Sequence, residues 1–124
     1  MLEYLKELKP MEKKVDLTLF KLQAAISKTM ANPLRLAILY FLKDGEKTVN
    51  ELARLVGASQ SNVSQHLALL RQREIVKTRK IGSSVYYSVS SPKISQACDM
   101  VREVLLEQLK EKRELAKNFT EGVM

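Results

Sequence analysis

The chain of 124 residues has a single cysteine, Cys98, and a single histidine, His66. One cysteine excludes an internal disulfide framework and fits a reducing, cytoplasmic setting. The sequence has no transmembrane run, no secretion signal and no strongly basic amphipathic helix with aromatic anchors, so no membrane partner is expected. It also lacks a glycine-rich phosphate loop, a cluster of metal-ligating side chains, and a base beside Cys98 or a serine. Those absences argue against an enzyme and call for no cofactor. No internal repeat or low-complexity segment is present. The length allows one domain with one modest core.

Positive charge is in excess. The net charge is +7, and its distribution is uneven. Residues 59–93 carry six basic side chains (Arg71, Arg73, Lys77, Arg79, Lys80, Lys93) against one acid, Glu74, giving +5. Residues 94–124 carry five basic and six acidic side chains, giving −1. A polyanion bound to the first of these segments would release counterions, and its affinity would fall steeply with salt.

The stretch TVNELARLVGASQSNVSQHLALLR, residues 48–71, reads as two short helices joined by a tight turn. Thr48 and Glu51 form a capping box ahead of Leu52. Leu52, Leu55 and Val56 give an apolar face at helical spacing. Gly57 suits the left-handed residue that ends a helix, and Ser59 is a good N-cap for the next. In that second helix Val63, Leu67 and Leu70 recur at four and three residues and point inward. Gln60, Ser61, Asn62, Ser64 and Gln65 fall on the open face. Gln and Asn can pair bidentately with adenine, and Ser can donate or accept at several bases. This is the chemistry of a helix-turn-helix whose second helix enters the major groove. The competing reading is an ordinary solvated polar face, but the capped first helix, the glycine turn and the basic flank all agree with DNA.

Two β-prone runs follow, Ile75–Arg79 and Val85–Val89, with a turn at Ile81–Ser84. A hairpin directly after a recognition helix is a wing. Arg79 and Lys80 near its tip would reach phosphates or the minor groove, with Arg71 and Lys77 nearby.

Elsewhere, Leu2, Leu5 and Leu8 mark a short amphipathic stretch that Pro10 breaks. A helix is predicted over residues 12–30, with Val15, Leu19, Leu22 and Ile26 on one side. Asn32-Pro33 starts another, nearly all apolar to Leu42, ended by Asp44-Gly45. Ser91-Pro92 opens a last helix to about Lys117, with Ile94, Val101, Leu105 and Leu109 as its apolar stripe. The fold expected is mainly α with a small β-hairpin, in the order α-α-α-α-β-β-α. Residues 1–30 and 91–117 would be dimerisation helices, 33–90 the DNA-binding winged helix, and 118–124 a loose tail. The end helices carry more apolar surface than one small domain needs. A two-fold homodimer through Leu19, Leu22, Ile26, Val101, Leu105 and Leu109 would bury it. It would also set two recognition helices roughly 34–36 Å apart.

MANPLRLAIL, ELARLVGASQSNVSQHLALLR and IVKTRKIGSSVYYSV together resemble the ArsR/SmtB family of winged-helix repressors. The resemblance runs from about Ser27 to Val89. It implies a homodimer that binds a palindromic operator in double-stranded DNA and leaves it when an inducer binds. By position it implies that Gln60, Ser61, Val63, Ser64 and His66 lie at or near DNA, with the wing around Arg79–Ser84, including Ser83. His66 would donate to a phosphate or pack on the wing side. Glu74 stands where similar sequences usually carry glycine, so a left-handed backbone there would be strained.

The family's metal sites do not carry over. The cysteine positions of the first fall on Thr48, Asn50 and Ala53, none of which offers a thiolate. The positions of the second fall on Ser91, Lys93, Val104 and Glu107, and one carboxylate does not make a zinc site. The inducer is therefore expected to be something other than a metal held at those places. Cys98, near the start of the last helix, is the remaining candidate sensor, as a thiol paired between chains. Its alternative role is a small apolar side chain at the dimer seam. Further alternatives are a MarR-like regulator responsive to small molecules, a constitutive DNA binder, and a helical module for protein contacts.

Overall fold

The computed structural model describes residues 16–113. The expectations for the first amphipathic stretch, for residues 12–15 and for the tail from 118 lie outside them. Five helices and a hairpin are present in the predicted order. They are α1 (Leu17–Met30), α2 (Pro33–Leu42), α3 (Val49–Val56), α4 (Gln60–Gln72), β1 (Val76–Ile81), β2 (Ser84–Val89) and α5 (Pro92–Glu111).

Local chemistry sets most of these boundaries. Asn32 Oδ1 accepts from the amides of Leu34 and Arg35 at 3.0 and 3.1 Å, with Pro33 in the first turn. These contacts cap amides that have no partner within the helix. The Thr48–Glu51 box forms in both directions: the Glu51 amide reaches Thr48 Oγ1 at 3.2 Å, and the Thr48 amide reaches Glu51 Oε1 at 3.1 Å. Gly57 ends α3 at φ +71°. Ser59 Oγ accepts from the Asn62 amide at 3.1 Å and starts α4.

The end of α4 is a Schellman turn. The Ile75 amide bonds the Leu70 carbonyl and the Glu74 amide bonds the Arg71 carbonyl, both at 2.9 Å. Leu70 and Ile75 are both buried, supplying the apolar contact that accompanies this turn. The residue at the left-handed position is Glu74, at φ +59°. Ser90 Oγ donates to the Glu74 carbonyl at 2.6 Å and thereby ties the turn to the end of the hairpin.

The buried core is Ile38, Leu39, Leu42, Leu52, Ala53, Val63, Leu67, Leu70, Ile75 and Val76. Each fully buried aliphatic side chain stabilises the fold by about 1.5–3 kcal/mol. All ten lie between the middle of α2 and the start of β1. On α3 the inward face is Leu52 and Ala53, with Val49 and Val56 at its margin, whereas Leu55 is exposed. The expected Leu55 contact therefore does not form. Alanine takes the inward place because α2 and α4 both pack against this short helix.

β1 and β2 pair antiparallel from Val76↔Val89 to Ile81↔Ser84, leaving a two-residue loop. Gly82 at φ +60° is its first residue, and Ser83 has no positive φ. That combination belongs to the II′ turn, whose twist matches that of the strands. Lys47 pairs with Tyr87 on the other side of β2 through two backbone bonds of 3.0 and 2.8 Å. The hairpin is thus anchored to the loop before α3.

α5 lies across α2. Asp99 pairs with Lys43 at 3.6 Å and with Arg102 at 2.7 Å. The Lys43 ammonium and the Arg102 guanidinium lie 4.7 and 5.0 Å from the centre of the Tyr40 ring. Neither α1 nor α5 has a fully buried residue. No helix of the described residues is long and apolar enough to cross a membrane.

Candidate nucleic-acid interface

α4 has one buried and one open face. Val63, Leu67 and Leu70 are fully buried, while Gln60, Ser61, Asn62, Ser64 and Gln65 are exposed. The exposed five occupy the first turns of the helix, and no acidic side chain stands among them. Such a surface offers amide and hydroxyl groups in the pattern that reads base edges. Val63 must be removed from the candidate contacts. The resemblance puts it at or near DNA, but it is a core residue, 0% exposed.

His66 is half-buried, with Nδ1 3.1 Å from Arg35 Nη1. A guanidinium only donates, so Nδ1 is the acceptor in this contact. A neutral ring then carries its proton on Nε2, which is left as a donor. His66 therefore packs on α2, not on the wing side as one expectation had it. Arg35 also donates from Nε to the Thr29 carbonyl, so one side chain joins the end of α1 to the middle of α4. Sequence reading did not single out Arg35. The available signal was a lone cation in the apolar run PLRLAILYFL.

The wing carries Lys77, Arg79 and Lys80 on β1 and Ser83 in its turn, all exposed. Arg71 is exposed in the last turn of α4. Arg79 is already engaged: its guanidinium forms a two-point pair with Glu46, with Nε 3.2 Å from Oε2. The pair holds the Glu46 carboxyl below its ordinary range and raises Arg79. Glu46 was another residue that sequence reading passed over, because it lies 33 positions from its partner. Lys77 and Lys80 have no ion pair among the described residues, so both are less encumbered than Arg79.

Cys98 is half-buried and packs with Ile94 against the edge of the core. Val101, Leu105 and Leu109, which continue the same helical spacing along α5, are 50–71% exposed. The expected stripe is therefore divided along its length: Ile94 and Cys98 near the start of α5 pack against the chain's own core, and Val101, Leu105 and Leu109 further along do not. Burial pushes the Cys98 thiol up, Asp99 adds to the effect and Arg102 opposes it. A thiol raised in this way supplies little thiolate at neutral pH, the opposite of what a reactive sensor needs. Among the described residues, no three of His, Cys, Asp and Glu come together as a metal site. The carboxylates of Glu46, Glu51 and Asp99 all have hydrogen-bond partners within the chain.

The family model for bacterial regulatory proteins of the arsR family matches residues 32–78, from the cap of α2 into β1. The HTH-type transcriptional regulator Rv0081 of Mycobacterium tuberculosis is 34% identical over 105 residues, 84% of this chain and 92% of its own length. Its crystal structure matches with a TM-score of 0.69 at 36% identity, over 77% of this chain and 96% of that one. The transcriptional activator HlyU of Vibrio cholerae is 42% identical over 77 residues, 62% of this chain and 71% of its own. A structure of HlyU matches with a TM-score of 0.65, over 70% of this chain and 95% of that one. The homodimeric winged helix-turn-helix DNA-binding domain Mb0332 of Mycobacterium bovis, a solution structure, matches with a TM-score of 0.69 at 29% identity, over 75% of this chain and 86% of that one. With the capped α3, the exposed polar face of α4 and the basic hairpin in one continuous unit, the chain belongs to the arsR family of bacterial regulatory proteins and is a winged helix-turn-helix transcriptional regulator.

Proposed function

We propose that the protein is a cytoplasmic, homodimeric repressor that binds a palindromic operator and is released by an inducer other than a metal held at the family's usual sites. The observation that carries this reading is the two-faced α4. Its inner side is locked in the core while Gln60, Ser61, Asn62, Ser64 and Gln65 stand free at its first turns. These side chains read bases, with the Nε2 proton of His66 as a further donor. Arg71, Lys77, Lys80 and Ser83 grip the backbone, and Arg79 joins them by leaving Glu46 for a phosphate.

Dimerisation is supported by eleven large apolar side chains on α1 and α5, all between 42% and 71% exposed. Apolar side chains exposed in this number on two helices point to an interface. The homodimeric state of the Mycobacterium bovis relative supports a second copy as the occupant. Residues 33–90 then form the DNA-binding unit and the end helices the dimer seam.

The test is binding to the chain's own promoter region against a scrambled duplex, by fluorescence anisotropy over a range of salt. The expected result is a preference of about a thousandfold or more, with affinity falling linearly in log salt. Equal binding to both duplexes would overturn the reading.

A further inference from the structure

A cavity of about 460 Å³ opens between the end of α1, the start of α2 and the last turn of α4. Lys28, Arg35 and Arg73 line it, with Ala25 and Leu69 as apolar wall and Thr29 beside them. No carboxylate lines it, and none of the three cations has an ion pair among the described residues. The ends of α1 and α4 each bring a partial charge of roughly −0.5, and the start of α2 roughly +0.5. Three full positive charges outweigh these, so the concavity is cationic by roughly +2.5. Its size is that of a small-molecule site.

Arg35 is held ready for a ligand. Its Nε is fixed on the Thr29 carbonyl and its Nη1 on His66, which leaves Nη2 without a partner among the described residues. The same side chain reaches the middle of the recognition helix. Leu69 lies nine positions after Gln60, about 14 Å along the helix at 1.5 Å per residue. The cavity is therefore set apart from the first turns that read bases.

We propose that this cavity is the effector site, that it takes a small organic anion (a carboxylate or phosphate monoester on a short apolar body), and that its occupancy loosens the operator. The anion neutralises three mutually repelling cations and draws Arg35 from His66, which shifts α4 against α1. Its effect on DNA rests on the operator-binding reading above, whereas its occupancy does not.

The test uses the full chain at constant ionic strength, with phenyl phosphate and benzoate as probes, and inorganic phosphate and neutral benzyl alcohol beside them. A saturable rise in Tm of several degrees is expected with phenyl phosphate or benzoate, less with inorganic phosphate, and none with benzyl alcohol. Lys28→Gln and Arg73→Gln leave the contacts of Arg35 intact, and each should weaken the response at least tenfold. Saturating probe should lower operator affinity severalfold in the wild type and not in Arg73→Gln. The proposal is overturned by the absence of a saturable shift, an equal shift with benzyl alcohol, an unchanged response in both variants, or operator affinity indifferent to the probe. It is equally overturned if the variants only weaken DNA binding and flatten its salt slope, for the cavity is then a backbone contact. The melting measurement needs no DNA, so a failure of operator binding registers separately in the titration without probe.

Discussion

Glu74 holds a backbone conformation that L-residues avoid, at φ +59°, because the Schellman turn closing α4 requires it. The left-handed conformation costs a non-glycine residue roughly 1–2 kcal/mol. Glycine would remove that strain and return part of the gain as unfolded-state entropy. Glu74→Gly should therefore stabilise the fold by about 0.5–1 kcal/mol, seen as a Tm higher by a few degrees. An unchanged or lower Tm would mean that the Ser90–Glu74 carbonyl bond depends on a residue with a side chain. The proposed base contacts are tested at the same scale. Gln60→Ala and Ser64→Ala remove exposed groups that no core contact uses. Each should reduce discrimination between operator and random duplex by about 1–3 kcal/mol, with random binding little changed. Comparing each variant on both duplexes checks this. The strain at Glu74 was legible in the sequence, because the resemblance places glycine there. The burial of Val63 was legible too, since helical spacing puts it with Leu67 and Leu70, and that spacing outweighs its position in the family.

At the scale of elements, the caps were readable and the cross-links were not. Asn32, Thr48, Ser59 and Ser91 each accept from an amide two or three residues away, so the whole signal lies in a short window. Arg35–His66 and Arg79–Glu46 join residues 31 and 33 positions apart, and no local pattern announces them. The division of the α5 stripe was hidden for the same reason: how much of it meets the core depends on how α5 lies across α2, where Asp99 pairs with Lys43. The Thr48–Glu51 cap and the ion pairs of Glu46 and Asp99 predict a response to acid. Glu51 is held below its ordinary value of 4.5, chiefly by the Thr48 amide, and Glu46 below the same value, chiefly by Arg79. Asp99 is held below 3.8, chiefly by Arg102. Groups depressed in the folded state lend stability above their ordinary values and lose it as pH falls through the folded ones. Tm should thus stay nearly level from pH 7 to about 5 and drop below about 4.5. Glu51→Ala should lower Tm at pH 7 and converge on the wild type as acid protonates the folded Glu51 carboxylate; a constant difference would exclude the carboxylate as its source. The wing makes a separate prediction. Lys80→Ala should weaken operator and random DNA alike and reduce the salt slope by about 1. Glu46→Gln frees Arg79, so it should strengthen both modes severalfold and steepen the slope. A change confined to specificity would place the hairpin wrongly.

At the scale of the whole molecule, the core and the apolar surface are separate. Among the described residues, all ten buried ones lie between Ile38 and Val76, and none belongs to α1 or α5. A winged helix that closes its own core has no internal use for Leu19, Leu22 and Ile26 at one end and Val101, Leu105 and Leu109 at the other. They remain 42–71% exposed in the single chain. The proposed dimer on an operator supplies the use. One recognition helix meets only a few base pairs, whereas two held roughly 34–36 Å apart engage successive major grooves. The second then binds at an effective concentration set by the dimer, worth about a hundredfold or more in affinity. Leu105→Glu separates these roles, because it puts a charge in the proposed seam and leaves every buried residue in place. By light scattering the variant should be monomeric, with the helical circular dichroism of the winged helix retained. Its affinity for the full operator should fall about a hundredfold or more, towards that for a half-site duplex. A dimeric variant would move the seam away from this face of α5. A monomer that still bound the full operator like the wild type would show that two-fold spacing of the recognition helices is not what selects the site.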